Sequence, residues 1–517
     1  MTEVSTNIAG ESARDPADDS SGFAARVRSA VVWRWGTQVV AQLIAWTSTI
    51  MVVRLLEPRD YGLFAMTQVV LTVLAFLNGH SFATSLIQTE HVDRRRIGQV
   101  FGLLLAFNGA LAAIQFVSAP LMAAYYREPM VADILRIQAV IFLTVPFTAL
   151  PSGLLAKRLE FKVQGKISLI AAIISALIAL ALAWLGHGVW ALVYAPISGF
   201  VFRSIALTVA AKSLVPPVFD LRGAGDLVRF GGTLTICQLF WVVQSQSDIF
   251  IAGRFFDTHD LGLYAEALFL TLIVTGRFLP PINEVAFPAY AELHRAGKAL
   301  GPYFLRTSRT VMLVTAPIYF GLALTAEPAV LTLFGEKWAD MAPFAAGLAI
   351  AMPAMALQIV CSPATNAMGM PRIYLLSNIA GAVIFPLAFL IAITAGPMGL
   401  VHAWWVAAPL LLLITLRLVL PAIGLRFIDY AKELAPVLLA NGMMALVVLA
   451  VDLVMPPKSP IVELALQGSV GALTYILALR LFWPRVIAET WAMLRQRDAS
   501  NPAPAGQTTI AADSGVV

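Results

Sequence analysis

Two stretches of this 517-residue chain, 200 positions apart, are variants of one sequence. Residues 54–65 read RLLEPRDYGLFA, and residues 254–265 read RFFDTHDLGLYA. Five of the twelve positions are identical, among them Arg, Asp and Gly, and four more are conservative. Each stretch joins two long apolar segments. The repeat predicts two copies of one helical bundle, which we call the first and the second repeat.

The composition is that of a membrane protein. Hydrophobic residues make up 59% of the chain and charged residues only 13%, about half the share in soluble domains. The formal net charge of +5 fits basic residues gathered on one side of a membrane better than nucleic-acid binding. The two cysteines, Cys237 and Cys361, have no CxxC partner, and the six histidines are scattered, which disfavours a metal site.

About fourteen segments are long and apolar enough to cross a bilayer. We therefore predict an all-α integral membrane protein with two pseudo-symmetric six-helix lobes and two C-terminal helices. An even number of spans per repeat gives both copies the same orientation, as in transporters that work by alternating access. The predicted divisions are a disordered cytoplasmic tail (1–29), an N-lobe (30–212), a cytoplasmic linker (213–230), a C-lobe (231–424), two further spans (435–483) and a cytoplasmic tail (484–517).

The basic residues set the predicted orientation. With both termini in the cytoplasm, all but seven of the 35 Lys and Arg residues fall on the cytoplasmic side. That bias is what the positive-inside rule expects of a multi-pass protein of the bacterial inner membrane.

Polar side chains recur within the spans. Arg34, Gln38 and Gln42 are spaced i, i+4, i+8 and share one face of the first span. Gln238 occupies the matching place in the second repeat, because Gly36-Thr37…Gln42-Leu43 recurs as Gly232-Thr233…Gln238-Leu239. We interpret these residues as walls of a polar cavity. The alternative is a snorkelling arginine with glutamines that bond neighbouring helices.

Arginine dominates the other charged positions. Arg277 precedes Pro280-Pro281, and proline frees backbone carbonyls where a broken helix lines a cavity. Further candidates for substrate binding, near cytoplasmic helix ends, are Arg203, Arg306 and Arg309. Arginine forks match phosphate oxygens, so a cavity with these residues suits an anionic substrate. Snorkelling to the membrane surface is the alternative for the last three.

Two acidic residues are candidates for ion coupling, since carboxylates inside spans are costly and tend to be functional. They are Asp248 and Glu266. A structural role is the alternative for both: Asp248 as a partner of Arg254, and Glu266 as a counter-ion of Arg277. No catalytic motif is present, which disfavours an enzyme.

The repeated loops belong to a recognisable pattern, together with residues 156–162 (AKRLEFK), 186–192 (GHGVWAL) and 247–254 (SDIFIAGR). In order and spacing they resemble the polysaccharide transporter family, nearest its colanic-acid-export branch, in the multidrug/oligosaccharidyl-lipid/polysaccharide exporter superfamily. The resemblance implies a multidrug-exporter-like fold. It also implies flipping of undecaprenyl-pyrophosphate-linked oligosaccharides for exopolysaccharide, capsule or lipopolysaccharide O-antigen synthesis.

The same resemblance implies coupling to an H⁺ or Na⁺ gradient, no other cofactor, and work beside a polysaccharide polymerase and a chain-length regulator. Two alternatives stay open. One is an ion-coupled multidrug or cation exporter of the same fold, which the arginine and the missing acid in the first span disfavour. The other is a non-transporting membrane protein of polysaccharide assembly.

Overall fold

The protein is described by a computed structural model that covers residues 36–37, 39–77, 94–158, 160–219, 225–454, 459–486 and 488–489. The N-terminal tail predicted at 1–29, Arg34, Gln38 and residues 490–517 of the predicted C-terminal tail lie outside the described residues, and so do the side chains of 225–238.

Every regular element in the described part of the chain is a helix. The first-repeat helices are α1 (Val39–Leu55), α2 (Pro58–Phe76), α3 (Arg94–Tyr126), α4 (Met130–Gln138), α5 (Val140–Thr144), α6 (Pro146–Lys157), α7 (Phe161–Trp184) and α8 (Val189–Ala211). The later helices are α9 (Gly225–Phe255), α10 (Thr258–Arg295), α11 (Gly301–Leu324), α12 (Ala326–Leu333), α13 (Ala342–Ala367), α14 (Pro371–Ala392), α15 (Pro397–Ala422), α16 (Phe427–Val454) and α17 (Pro460–Phe482).

Within the described residues, eleven helical segments are long and apolar enough to cross a membrane, and α1 is a shorter apolar helix. This confirms the all-α membrane fold, while the count of fourteen spans stays a prediction. Two helices continue through positions where we predicted none. Helix α9 begins at Gly225, inside the predicted linker, and α10 continues through Pro280-Pro281 to Arg295. The break expected at these prolines is absent from α10, because a long helix tolerates lost hydrogen bonds where neighbouring groups compensate.

The described residues form two compact units. Unit 1 contains the residues up to Ala267 together with Leu333–Phe344 and Asn378–Ala407. Unit 2 contains Leu268–Thr332, Ala345–Ser377 and the residues from Ala408 onward. These units do not follow the predicted lobe boundaries, so the division into an N-lobe and a C-lobe stays a prediction.

Unit 1 contains a tight helical hairpin of α7 and α8. Residues 185–188 join the two helices, and Gly186 and Gly188 adopt positive φ angles of 77° and 58°. Glycine takes this left-handed conformation without the steric cost that a β-carbon adds. The hairpin brings the start of α7 next to the end of α8.

Unit 1 also contains the contact between the two repeated loops. The N-terminal ends of α2 and α10 cross at Gly62 and Gly262, where a β-carbon on Gly62 would lie 3.1 Å from the Gly262 nitrogen. It would also overlap the Thr258 carbonyl, just as one on Gly262 would overlap the Pro58 carbonyl. Both contacts have the sequence offset of 200, so the repeat is also a structural two-fold. We call this contact region the repeat seam.

Unit 2 holds the two C-terminal helices against α11. Ala440, Met444 and Val448 of α16 pack with Tyr475 of α17, and the Tyr475 hydroxyl donates to the Leu313 carbonyl at 3.1 Å. Burial of this apolar surface orders α16 and α17 as part of the bundle.

The glycine crossing yields a direct test. Gly62→Ala inserts a β-carbon where backbone already lies, so we expect a loss of about 1–3 kcal/mol of stability. A lower midpoint of thermal unfolding in detergent would measure it. Gly276→Ala on α10 is the matched control, because no atom lies within 4 Å of its added β-carbon. Equal midpoints for both variants would contradict the close crossing.

Candidate functional site

A cavity of about 300 Å³ lies in unit 1 where α7 begins and α8 approaches its end. Its lining is largely polar and consists of Thr37, Ala41, Phe161, Gln164, Gly165, Ser168 and Arg203. Gln164 and Ser168 are spaced i, i+4 on α7, so they share one face of that helix. The cavity therefore presents hydroxyl and amide groups around a single arginine.

Arg203 is the charged residue of this cavity. Its side chain is half-buried on α8, eight residues before the helix ends at Ala211. Its Nε is buried and finds no hydrogen-bond partner among the described residues. Buried polar groups are nearly always paired, so this guanidinium lacks an acceptor that a bound anion would supply.

The first-span residues predicted to line a cavity are only partly described. Gln42 is half-buried on α1, and the side chain of its counterpart Gln238 lies outside the described residues. Thr37 lines the cavity instead, together with Ala41. Sequence reasoning missed Thr37, although the recurrence of Gly36-Thr37 as Gly232-Thr233 marked it.

The candidates in unit 2 divide into exposed and buried arginines. Arg277 on α10 and Arg306 on α11 are exposed, and their side chains make no hydrogen bond or ion pair with described residues. An exposed arginine within a span faces water or headgroups, because lipid contact is costly. Arg277 and Arg203 belong to different compact units, so the structure does not join them in one described site.

Arg309 has a different surrounding. Its side chain is 8% exposed, and its two terminal nitrogens each lie 2.6 Å from a carboxylate, one of Glu433 and one of Glu489. The guanidinium is thus occupied by two acids from α16 and from the segment after α17. Sequence reasoning assigned Arg309 to the substrate, because these distant partners left no local signal. The two ion pairs account for the burial of Arg309 without a ligand.

The two acidic candidates both lie buried in unit 1. Asp248 accepts a hydrogen bond from the Tyr264 hydroxyl at 2.9 Å, and Trp404 donates its indole N–H to that hydroxyl at 2.8 Å. Arg254, the alternative partner of Asp248, instead donates to the Tyr125 carbonyl. Glu266 is 5% exposed and has no hydrogen bond or ion pair with a described residue.

Several buried amides in unit 1 have a polar atom without a partner in the described part of the chain. Two of these atoms are the oxygen of Gln244 and the nitrogen of Asn378. Gln244 precedes Asp248 by one helical turn, so both side chains lie on one face of α9. The buried carboxylate of Asp248 and the unpaired oxygen of Gln244 thus lie one turn apart on α9.

One group of potential metal ligands occurs among the described residues. Atoms of Asp257, His259 and Asp260 lie within 4.8 Å of one another in the second repeated loop. The backbone N–H of Asp260 donates to the Asp257 carboxylate at 2.8 Å, which is the geometry of a helix cap. Capping explains the acidic residues without a metal.

The fold and the buried charges define a multi-spanning membrane protein with transporter architecture. The chain is similar in fold to a solved lipid II flippase, MurJ, in an inward closed conformation (TM-score 0.71, 11% identity, 88% of this chain and all of that one). It is also similar to an inward-facing MATE multidrug transporter (TM-score 0.59, 14% identity, 76% of this chain and 98% of that one). These likenesses confirm the predicted multidrug-exporter-like fold.

The sequence identifies the family. A family model described as "Polysaccharide biosynthesis protein" matches residues 51–343, and the chain belongs to that family. The succinoglycan biosynthesis transport protein ExoT of Rhizobium meliloti is 27% identical over 57% of this chain and 60% of its own length. The lipopolysaccharide biosynthesis protein WzxC of Escherichia coli is 22% identical over 56% of this chain. The matched region spans about 60% of the length of these relatives. The family resemblance predicted from sequence is confirmed.

Arg309 offers a test of its structural role. Arg309→Gln leaves Glu433 and Glu489 without their cation. Both acids reach water, with 25% and 50% exposed side chains, so we expect less than the 3–5 kcal/mol cost of a fully buried pair, about 1–3 kcal/mol. The midpoint of thermal unfolding measures this. Arg306→Gln, on the same helix and exposed, is the control. A stable Arg309→Gln protein that fails only in transport would contradict the structural role.

Proposed function

We propose that this protein is a flippase that moves undecaprenyl-pyrophosphate-linked oligosaccharide repeat units across the inner membrane by alternating access. The observation that carries the proposal is Arg203, whose buried Nε lacks an acceptor beside a polar cavity of about 300 Å³. A pyrophosphate supplies several oxygens to such a fork. The hydroxyls of Thr37 and Ser168 add neutral donors for the same group.

The sugar and the polyprenyl tail of the substrate need different surroundings. The sugar needs polar, hydrated surroundings beside the first-repeat cavity, and the polyprenyl tail stays in membrane lipid. Arg34, three residues before Thr37 in the sequence, is kept as a second ligand of the pyrophosphate. Arg277 and Arg306 are exposed cations that would attract the anion.

The family and the relatives support transport rather than catalysis. ExoT is named as a transport protein of succinoglycan biosynthesis, and the solved MurJ structure is named as a lipid II flippase. Both names concern the export of glycans or their lipid-linked precursors, which suits a cavity with an unpaired arginine. Because the matches cover only part of ExoT and WzxC, the substrate class is carried over to this chain as part of the proposal.

The proposed orientation delivers the substrate to the extracytoplasmic side of the membrane. Both termini lie in the cytoplasm, so the repeated loops at 54–65 and 254–265 face the extracytoplasmic side. A polysaccharide polymerase and a chain-length regulator would consume the product there. Consumption gives direction to a carrier that otherwise binds its substrate equally in both states.

Ion coupling is the second source of direction. Asp248 and Glu266 are the proposed carriers of H⁺ or Na⁺, because both are buried acids within helices. Tyr264 and Trp404 hold the Asp248 carboxylate in place, and the unpaired amides of Gln244 and Asn378 offer further polar groups in the same unit. These acids also favour the alternative of a cation or drug exporter, which Arg203 in the first-repeat cavity disfavours.

The anion site is tested with Arg203→Gln. Loss of the charge should reduce export of the surface polysaccharide at least tenfold, the order expected when a charged hydrogen bond is lost. Protein amount and thermal stability should stay near those of the parent. Export is measured as polymer at the cell surface in a strain that lacks other flippases.

Two variants serve as controls for this test. Arg203→Lys keeps a cation and should keep part of the export, since only the planar fork is lost. Arg158→Gln removes an exposed arginine after α6 and should export normally. Normal export by Arg203→Gln would remove the cavity from the mechanism.

Ion coupling is tested with Asp248→Asn. The amide can still accept the Tyr264 hydrogen bond, but it cannot take up a proton and offers Na⁺ no negative charge. Uptake of substrate into proteoliposomes should then lose its stimulation by an imposed H⁺ or Na⁺ gradient, while exchange without a gradient continues. Tyr264→Phe keeps the carboxylate and removes only its hydrogen-bond donor, so gradient stimulation should fall less than in Asp248→Asn. An undiminished response in Asp248→Asn would assign coupling elsewhere.

A further inference from the structure

The repeat seam does more than bring two glycines together. In the first repeat, Val53 accepts a hydrogen bond from the Trp338 indole N–H at 2.9 Å. Next to it, Arg54 donates through Nε to the Leu333 carbonyl at 3.0 Å, and Tyr61 packs edge-on against Trp338. We call this group, in which first-repeat residues contact the segment after α12, the tryptophan latch.

The second repeat makes the reciprocal contact with the end of α3. Gly253 lies against Tyr126, so that a β-carbon there would come within 2.7 Å of the ring. Arg254 donates to the Tyr125 carbonyl at 2.6 Å and lies over the Tyr125 ring, which stacks on Phe250 at 4.6 Å. We call this group the tyrosine latch.

The two latches correspond position by position. Residues 53 and 253 each contact an aromatic side chain of the other repeat, and residues 54 and 254 each donate an arginine hydrogen bond to a carbonyl at a helix end of the other repeat. These matched contacts across the seam explain why both repeats have an arginine at this position, 54 and 254. An arginine that only capped its own helix would bond to a carbonyl of its own repeat.

The chemistry of the latches suits contacts that break and reform. Arg54 is exposed and Arg254 is half-buried, so water can replace their carbonyl partners when the seam parts. The closed seam also leaves polar atoms unsatisfied. The hydroxyl of Tyr126 is buried without a partner among the described residues, and the Glu266 residue, one turn beyond Gly262, is 5% exposed. Hydration of these groups on opening offsets part of the lost packing.

We infer that the tryptophan latch and the tyrosine latch hold the extracytoplasmic end of the protein closed. The hydrogen bonds of Arg54 and Arg254 must break before the carried substrate can leave. The inference rests on the proposed function for its direction. The repeated loops then act in gating rather than in substrate binding. Each arginine does so through its hydrogen bond to a backbone carbonyl of the opposite repeat.

The test uses a single cysteine buried at the seam. Met66→Cys is placed in a chain that lacks Cys237 and Cys361, because Met66 is 1% exposed and would lie 3.3 Å from a β-carbon on Gly253. Spheroplasts are treated with a membrane-impermeant thiol reagent, and the labelling rate is followed. Arg254→Gln should raise that rate about tenfold, as expected for a lost charged hydrogen bond, and Arg54→Gln should raise it several-fold.

Arg59→Gln is the matched control. Arg59 is exposed in the same loop and makes no hydrogen bond or ion pair with described residues, so the labelling rate should stay at the parent value. Unchanged labelling in both latch variants, or an equal rise in Arg59→Gln, would overturn the inference. The readout needs no substrate, so a failure here is distinct from normal export by Arg203→Gln, which would refute the flippase proposal.

A second arm keeps the inference testable if the arginine variants do not insert. Tyr125→Cys and Phe250→Cys are combined and joined by a short, reducible bis-thiosulfonate, which fits the 4.6 Å separation of the parent rings. Joining should stop export, and reduction should restore it. Each single cysteine variant, treated in the same way, should keep the export that it shows without the reagent. Full export by the joined protein would overturn the inference.

Discussion

The structure depends on the high cost of leaving a charged group without a partner in lipid. Several arginines in unit 1 and unit 2 meet this cost by binding an acceptor. Arg309 is held by two carboxylates, and Arg54 and Arg254 donate to backbone carbonyls. Arg203 differs, because its Nε is buried and its side chain makes no hydrogen bond or ion pair with any described residue. The same constraint that fixes the other arginines therefore singles out Arg203 as the one beside a cavity that has room for an anion.

The second organising feature is the two-fold repetition of the chain. Close contact of Gly62 with Gly262 lets two helix ends cross at backbone distance, which larger residues would prevent. Around that crossing, the arginines and aromatic rings of one repeat reach the helix ends of the other. When the seam opens, water can replace the protein partners of these hydrogen-bonding groups. The seam can therefore close specifically and still open at a modest cost in free energy. Alternating access needs both properties at one end of the carrier.

Much of this architecture could be predicted from the sequence. The internal repeat and the family both followed from motifs whose residues are polar or glycine in otherwise apolar sequence. Other features required three-dimensional contacts. The partners of Arg309 are remote in the sequence, and α10 remains helical through Pro280-Pro281 because propensity yields to surrounding structure. Thr37, Gln164 and Ser168 were missed as cavity residues, since single polar groups in spans usually bond a neighbouring helix.

The central claim is that the first-repeat cavity receives the anionic head of a lipid-linked substrate. Its most direct test is a cryo-electron microscopy map of the protein in lipid nanodiscs with a polyprenyl-pyrophosphate-linked sugar. We predict density for the two phosphates within hydrogen-bond distance of the Arg203 guanidinium, between α7 and α8. Phosphate density elsewhere, with acyl chains filling the space beside Thr37 and Ser168, would contradict it.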